Sequence, residues 1–213
     1  MINLDIKENY STKILKDIIV FIQNKYNEIS NEWENSREYI SLNMQKYQVK
    51  DIYNDEKILT YIFNYRNFIN DRAIKITSSI YSLHRNNIIQ CRVKALNSIQ
   101  YKIENYNNNH EDGKIPIRKC LNDIYGIRLI FEEDINFENI IEFIKEEFPQ
   151  LKCIYAKRGE YQAIHIYFGN EDNKKFQWEL QLWDKLHEES NYLSHAKHKQ
   201  GYTKWENENN IGG

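Results

Sequence analysis

Two carboxylates stand in strand-like runs where chemistry could use them. In Lys175-Phe176-Gln177-Trp178-Glu179-Leu180-Gln181-Leu182-Trp183, strand alternation puts Phe176, Trp178, Leu180 and Leu182 on one face. Gln177, Glu179, Gln181 and Trp183 share the other, so Glu179 is displayed in a row. A second acid, Asp123, heads another strand-like run, Asp123-Ile124-Tyr125-Gly126-Ile127-Arg128-Leu129-Ile130-Phe131. Two carboxylates on neighbouring strands could hold one divalent ion.

Cations cluster at three places. Arg92, Lys94, Ser98 and Lys102 fall in a stretch of helical period. Steps of four put Lys94, Ser98 and Lys102 on one helical face, with Arg92 near its start. Such a row could hold a polyphosphate, although the same spacing also describes a solvated basic face. No G-x-x-x-x-G-K-[ST] loop is present, so side-chain cations would have to do what backbone amides do in a P-loop. The second cluster is Lys157-Arg158-Gly159-Glu160-Tyr161-Gln162-Ala163-Ile164-His165. There Tyr161, Ala163, His165 and Tyr167 share one strand face, and a Tyr beside cations can stack on a base. Among 16 tyrosines, an ordinary packed strand residue is the competing reading of Tyr161. The third is His195-Ala196-Lys197-His198-Lys199-Gln200-Gly201, whose cations suit a helix C-terminus. His187 with Glu188, or His195 with His198, could suggest zinc, but no thiol pair accompanies them.

The hydrophobic period indicates which elements carry these groups. Ile14, Leu15, Ile18, Ile19, Ile22, Tyr26, Ile29 and Trp33 recur at helical steps, predicting an amphipathic helix from Ser11 to about Trp33 with Ser11 as N-cap. A second helix is predicted from Glu56 to about Ile80 and a third from about His84 to Tyr106. The Asn-rich segment from Asn107 to Gly113 reads as a loop. Strands are predicted over Ile124 to Phe131, Lys152 to Ala156, Tyr161 to Phe168 and Phe176 to Trp183. A helix over Phe137 to Phe148, striped by Ile140, Ile141, Ile144 and Phe148, lies between the first two. The expectation is an α+β fold, a mixed β-sheet flanked by helices with a helical N-terminal region.

Composition bounds the rest. At 213 residues the chain can bury a substantial core as one domain, with or without a helical extension. A formal charge of −2 with 28% charged residues means that any basic surface is local. Seven Gly and two Pro argue against a loop-rich chain. Cys91, Cys120 and Cys153 form no C-x-x-C pair and fit reduced thiols. Met1-Ile2-Asn3-Leu4-Asp5 lacks a basic region leading into an apolar run, and no segment approaches a membrane span. A soluble, cytoplasmic protein with no membrane partner is expected.

Taken in order, these clusters resemble the synthetase domain of the RelA/SpoT family, pyrophosphokinases that make (p)ppGpp. Arg92-Val93-Lys94 with Ser98 and Lys102 resembles its R-x-K…S…K helix, and Asp123 to Arg128 its D-[IL]-x-[GA]-I-R strand. Lys157 to His165 resembles K-P-N-G-Y-[RQ]-S-[LI]-H, Glu179-Leu180-Gln181-Leu182 resembles E-[IV]-Q-[IL], and His195 to Gly201 resembles H-W-K-Y-K-x-G. The resemblance covers roughly residues 84–203. It divides the chain into a helical region over 1–83, a nucleotidyltransferase-like synthetase domain over 84–203 and a short tail over 204–213.

The resemblance implies a role for each position. Arg92, Lys94, Ser98 and Lys102 would hold the ATP phosphates, with Arg128 helping and Arg92 lying against the adenine. Asp123 and Glu179 would bind Mg²⁺. Glu179 would also take the proton from the acceptor 3′-hydroxyl as it attacks the β-phosphorus of ATP and releases AMP. Tyr161 would stack on the acceptor base, His165 and Gln181 would orient ribose and phosphates, and Lys157, Lys197 and Lys199 would meet acceptor phosphates. Asp123 and Arg128 have opposite strand parity, so both can serve only if Asp123 lies outside the regular strand or a bulge intervenes.

Departures from the family pattern concern the acceptor. Trp183 stands where the family usually has Arg, and Gly159-Glu160 replaces Asn-Gly before Tyr161. No H-D…E-D pair is present, so the family's hydrolase domain is not expected. The first reading is a stand-alone small alarmone synthetase that moves pyrophosphate from ATP to GTP, GDP or GMP. The alternative is a toxin that pyrophosphorylates the 3′-CCA end of tRNA, with an antitoxin partner and with Lys197, Lys199 and Lys204 on the RNA backbone. A third reading is a catalytically degenerate alarmone-binding module. Under each of these readings the helical region over 1–83 would be an oligomer contact, a regulatory lid or a neutralising element.

Overall fold

The computed structural model describes residues 10–53, 55–83, 88–132 and 135–196. Helices α1 (Tyr10–Glu34), α2 (Val49–Tyr53) and α3 (Glu56–Leu83) precede β1 (Ile88–Val93), α4 (Leu96–Asn109) and α5 (Ile117–Cys120). Strand β2 (Tyr125–Phe131), helix α6 (Phe137–Glu147) and strands β3 (Lys152–Arg158), β4 (Tyr161–Phe168) and β5 (Trp178–Asp184) follow. A further helical segment covers 188–196. The strands form one sheet in the order β1-β2-β5-β4-β3, in which only β2 and β5 run parallel. The fold is therefore α+β, with a mixed sheet flanked by helices. Among the described residues no helix is long and apolar enough to cross a membrane.

The predicted stripe of α1 is buried from Ile14 through Trp33, and α3 buries Ile58, Tyr61, Ile62, Tyr65, Ile69, Ile76 and Ile80. These helices share one core with the sheet face carrying Ile127, Leu129, Trp178, Leu180, Ile164 and Ile166. Trp178 is the pivot of that packing. Its indole Nε1 donates to Tyr65 Oη at 3.0 Å, and its ring meets Tyr26 edge-on at 5.5 Å. Phe176 stacks on Tyr65 at 4.1 Å. Each such pair contributes about 0.5–1.5 kcal/mol beyond area burial. Helix α6 covers the same face further along. It is capped by Asn136, which accepts from Asn139 N, and it buries Ile140, Phe143 and Ile144.

Three local expectations are corrected. Of the helix expected from His84 to Tyr106, the described part, from Ile88 on, is a strand followed by a helix, because Ile89, Cys91 and Val93 face inward while β1 pairs antiparallel with β2. Helix α4 begins only at Leu96 and runs on through Asn109, so the Asn-rich segment is helical until the turn at Glu111–Gly113. Ser11 lies inside α1, which begins at Tyr10, and so is not its N-cap.

Candidate active site

The second face of the sheet is polar, and its strand register explains why. Arg92, Gly126, Glu179, Tyr167 and Lys152 are aligned across all five strands, and Gln90, Arg128, Gln181, His165 and Ile154 form the next row. Beyond them Ile130, Trp183, Ala163 and Tyr161 make a separate small apolar cluster. A cleft of about 1280 Å³ opens over the polar rows and is closed on one side by α4 and α5.

Asp123 stands at the head of this cleft, in the turn just before β2, so its parity relative to Arg128 is no obstacle. The turn is held by Lys94 N donating to Ile124 O at 2.8 Å, which brings the end of β1 against it. Lys94 Nζ then reaches Asp123 Oδ2 at 2.5 Å and Lys102 Nζ reaches Oδ1 at 3.0 Å, while Arg92 Nη2 lies 3.6 Å from Oδ2. The cationic cluster is thus assembled from a strand, a junction and a helix, where one helical face was expected. Burial alone would raise the Asp123 carboxyl, but Lys102 and Lys94 outweigh it and hold the group well below the usual carboxylate range. The two lysines respond oppositely to the same acid. Burial lowers Lys94, which also faces Lys102 and Arg92. In Lys102 the charge of Asp123 prevails over burial and raises the ammonium.

Glu179 is 5% exposed and fully engaged. Its Oε1 lies 2.8 Å from His165 Nδ1, and its Oε2 accepts from Gln181 Nε2 at 2.7 Å. Tyr161 Oη lies 2.9 Å from His165 Nε2. With Glu179 ionised, Nδ1 carries the proton that faces it. Burial pushes Glu179 up, yet the hydrogen bond and charge of His165, helped by Gln181, bring it below its ordinary value against the repulsion of Asp123. That repulsion means the two carboxylates sense one another across the cleft. Magnesium typically takes one or two protein carboxylates and completes its shell with water and substrate phosphates, and Asp123 and Glu179 are the acidic side chains that line the cleft among the described residues. Among the described residues no cluster of three or more metal-binding side chains occurs.

Of the residues singled out from sequence, Arg92, Lys94, Ser98, Lys102, Asp123, His165, Glu179 and Gln181 line the cleft together. Arg128 lines an adjoining cavity of about 300 Å³ that shares Arg92, Glu179, Gln181 and His195 with it. Tyr161 is 9% exposed and sits in the small apolar cluster, with its hydroxyl turned to His165. Its ring burial rises from contact with Trp183, 6.4 Å away edge-on, and pushes its hydroxyl up to about 12.

Lys157 departs from expectation. It pairs with Gln162 and alternates with Arg158, so it projects from the face opposite the cleft. Lys152 and Arg158, on the cleft face of β3, are the cations that line it instead. Strand alternation puts Lys152, Ile154 and Arg158 on one face and Lys157 on the other, and only the pairing of Ile154 with His165 decides that the first is the cleft face. Lys197 and Lys199 lie outside the described residues.

A model of the region found in RelA and SpoT proteins matches residues 91–204, more than half of the chain. This chain belongs to the RelA/SpoT family. Every strand of the sheet and every cleft-lining group discussed above, from Arg92 to His195, falls within or at the edge of that match. Membership supports a pyrophosphotransferase of the (p)ppGpp-synthetase type. No curated protein matches the chain significantly. Among solved structures, small alarmone synthetase 1 from Bacillus subtilis is similar to it. Bound to its product pppGpp, that protein is 16% identical over 70% of this chain and 83% of its own, with a TM-score of 0.40. A second structure of it gives 17%, 70%, 80% and 0.41. The form bound to AMPCPP gives 15%, 70%, 80% and 0.37.

Proposed function

We propose that this RelA/SpoT-family chain transfers the β,γ-pyrophosphate of ATP to the 3′-hydroxyl of a guanine nucleotide. The observation that carries the reading is the placement of Glu179, an ionised buried carboxylate hydrogen-bonded by His165 and Gln181, across one cleft from Arg92, Lys94 and Lys102. Arg92, Lys94, Ser98 and Lys102 take the donor phosphates, with Arg128 on the donor side. Asp123 keeps the lysines charged and in place until a polyanion arrives.

On the acceptor side Glu179 receives the proton of the 3′-hydroxyl. The new bond joins the 3′-oxygen to the β-phosphorus. The bond from that phosphorus to the oxygen bridging it to the α-phosphorus breaks, and AMP leaves. His165 holds Glu179 in register and Tyr161 holds His165, so the ring of Tyr161 acts through the imidazole. Lys152 and Arg158 meet acceptor phosphates. Asp123 and Glu179 would hold Mg²⁺, which when bound neutralises charge on the phosphates. Positioning and charge neutralisation carry this chemistry without a covalent nucleophile.

Incubation with γ-labelled ATP and, separately, GTP, GDP, GMP or bulk tRNA tests the assignment. Label on a guanine nucleotide is the expected result. Label on tRNA would instead establish the toxin reading, and label on neither would establish a binding module.

A further inference from the structure

Trp183 stands on the cleft side of β5, two residues beyond Gln181, and is fully buried. Its chief partner is a charge. The Arg128 guanidinium carbon lies 3.6 Å from the centre of the Trp183 ring, well inside the range of cation–π attraction. In-plane contacts complete the arrangement, with Arg128 Nη1 donating to Gln90 Oε1 at 3.2 Å and Nη2 to Gln181 Oε1 at 3.3 Å. His195 Nε2 is 3.4 Å from the same Nη2. Trp183 is itself held from the segment over 188–196, where His195 stacks on it at 5.5 Å and Tyr192 meets it edge-on at 5.2 Å. That segment is tied down by Asn191, whose Oδ1 accepts from Gln162 N at 2.9 Å while its Nδ2 donates to Gln162 O at 2.8 Å.

A guanidinium on a long flexible stem loses rotamer freedom when it binds a ligand, and a stacked, hydrogen-bonded one has lost it beforehand. Arg128 lines the adjoining cavity, so the immobilised group borders space that a ligand can enter. We propose that Trp183 is a positioning residue: its ring holds Arg128 flat and oriented for donor nucleotide, and so sets affinity on the donor side of the site. The family's Arg at this position is thus replaced by a residue that acts through another Arg. The inference rests on the donor-side assignment of Arg128 made above.

The test uses the full chain and α,β-methylene-ATP with Mg²⁺, titrated by calorimetry into wild type, Trp183→Phe, Trp183→Leu, Arg128→Gln and the Trp183→Leu/Arg128→Gln double variant. Trp183→Leu is expected to weaken binding about tenfold and Trp183→Phe less than about threefold, because Phe keeps an aromatic face. In the Arg128→Gln background Trp183→Leu should add nothing. Full additivity, or an unchanged dissociation constant in Trp183→Leu, would overturn the proposal and leave Trp183 as core filling. Should Trp183→Leu not fold, Arg128→Lys reads the same contact. It keeps the charge, loses the stacking plane and is expected to bind about tenfold more weakly. The nuclear magnetic resonance signal of the Arg128 Nε proton in ligand-free protein separates this inference from the donor reading. It should be shifted upfield by the Trp183 ring current and return towards its ordinary position in Trp183→Leu. If wild type binds no ATP analogue, the donor assignment fails, and the presence or absence of that shift still decides whether Trp183 holds Arg128.

Discussion

Glu179 Oε1 and His165 Nδ1 are hydrogen-bonded at 2.8 Å across the β4–β5 boundary, and this contact converts a buried acid into an oriented, ionised one. Glu179→Gln keeps the shape and removes the charge. The turnover number for pyrophosphate transfer should fall by about 10²–10⁴, with little change in the melting midpoint. Because Glu179 sits below its ordinary value, activity should show no Glu179 limb between about pH 5 and 8. Near wild-type turnover in Glu179→Gln would remove Glu179 from the chemistry.

Asp123 carries two lysines at 2.5 and 3.0 Å, so Asp123→Asn leaves uncompensated buried cations. Urea unfolding should report a loss of about 3–5 kcal/mol. The depressed carboxyl contributes stability that is complete above about pH 5. It is lost as pH falls through the unfolded-state value near 4 toward the lower folded one. The acid side of the stability profile should therefore flatten in Asp123→Asn, and an unchanged profile would show that the ion pairs contribute little.

Arg158 faces the cleft and its neighbour Lys157 does not. Arg158→Ala should raise the acceptor KM about tenfold, the ordinary scale for a lost charge-assisted contact, while leaving the ATP KM alone. Lys157→Ala should change neither. The opposite ranking would mean that the β3 edge rearranges when acceptor binds.

Asn191 is wholly buried and pairs with both backbone groups of Gln162. Asn191→Ala leaves those groups unsatisfied and should cost about 1–3 kcal/mol. Hydrogen exchange should speed up at Gln162 and over 188–196 before it does elsewhere, and unchanged protection there would show that other contacts hold the segment.

Tyr26, Tyr65 and Phe176 close one aromatic cluster around Trp178. A fragment of residues 84–203 would expose the sheet face that α1 and α3 cover. It is expected to show no cooperative thermal transition, and a fragment that melts cooperatively would make the helical region a separable appendage.

Much of this was legible because periodicity is a local property. The stripes of α1 and α3, the alternation in β2, β4 and β5, and the acids Asp123 and Glu179 follow from the spacing of apolar residues, which sets what each element must bury. Ile89, Cys91 and Val93 show the limit. Their alternation merges into the helical steps of Ile99 and Ile103, and only pairing with β2, a contact distant in the chain, makes them a strand. Lys157 and Arg158 show it again, since both are basic and adjacent, and the register against β4 decides which faces the cleft.

The residue types and their order by themselves determined the family, the pair of carboxylates and the helix-flanked mixed sheet. Tertiary structure alone decided that Arg92, Lys94 and Lys102 converge on Asp123 from a strand, a junction and a helix. It also decided that Tyr161 turns its hydroxyl to His165, and that Trp183 lies beneath Arg128. The reason is that spacing records what one element can bury, whereas a site is made where side chains from separate elements meet, and only strand register and helix packing set those distances.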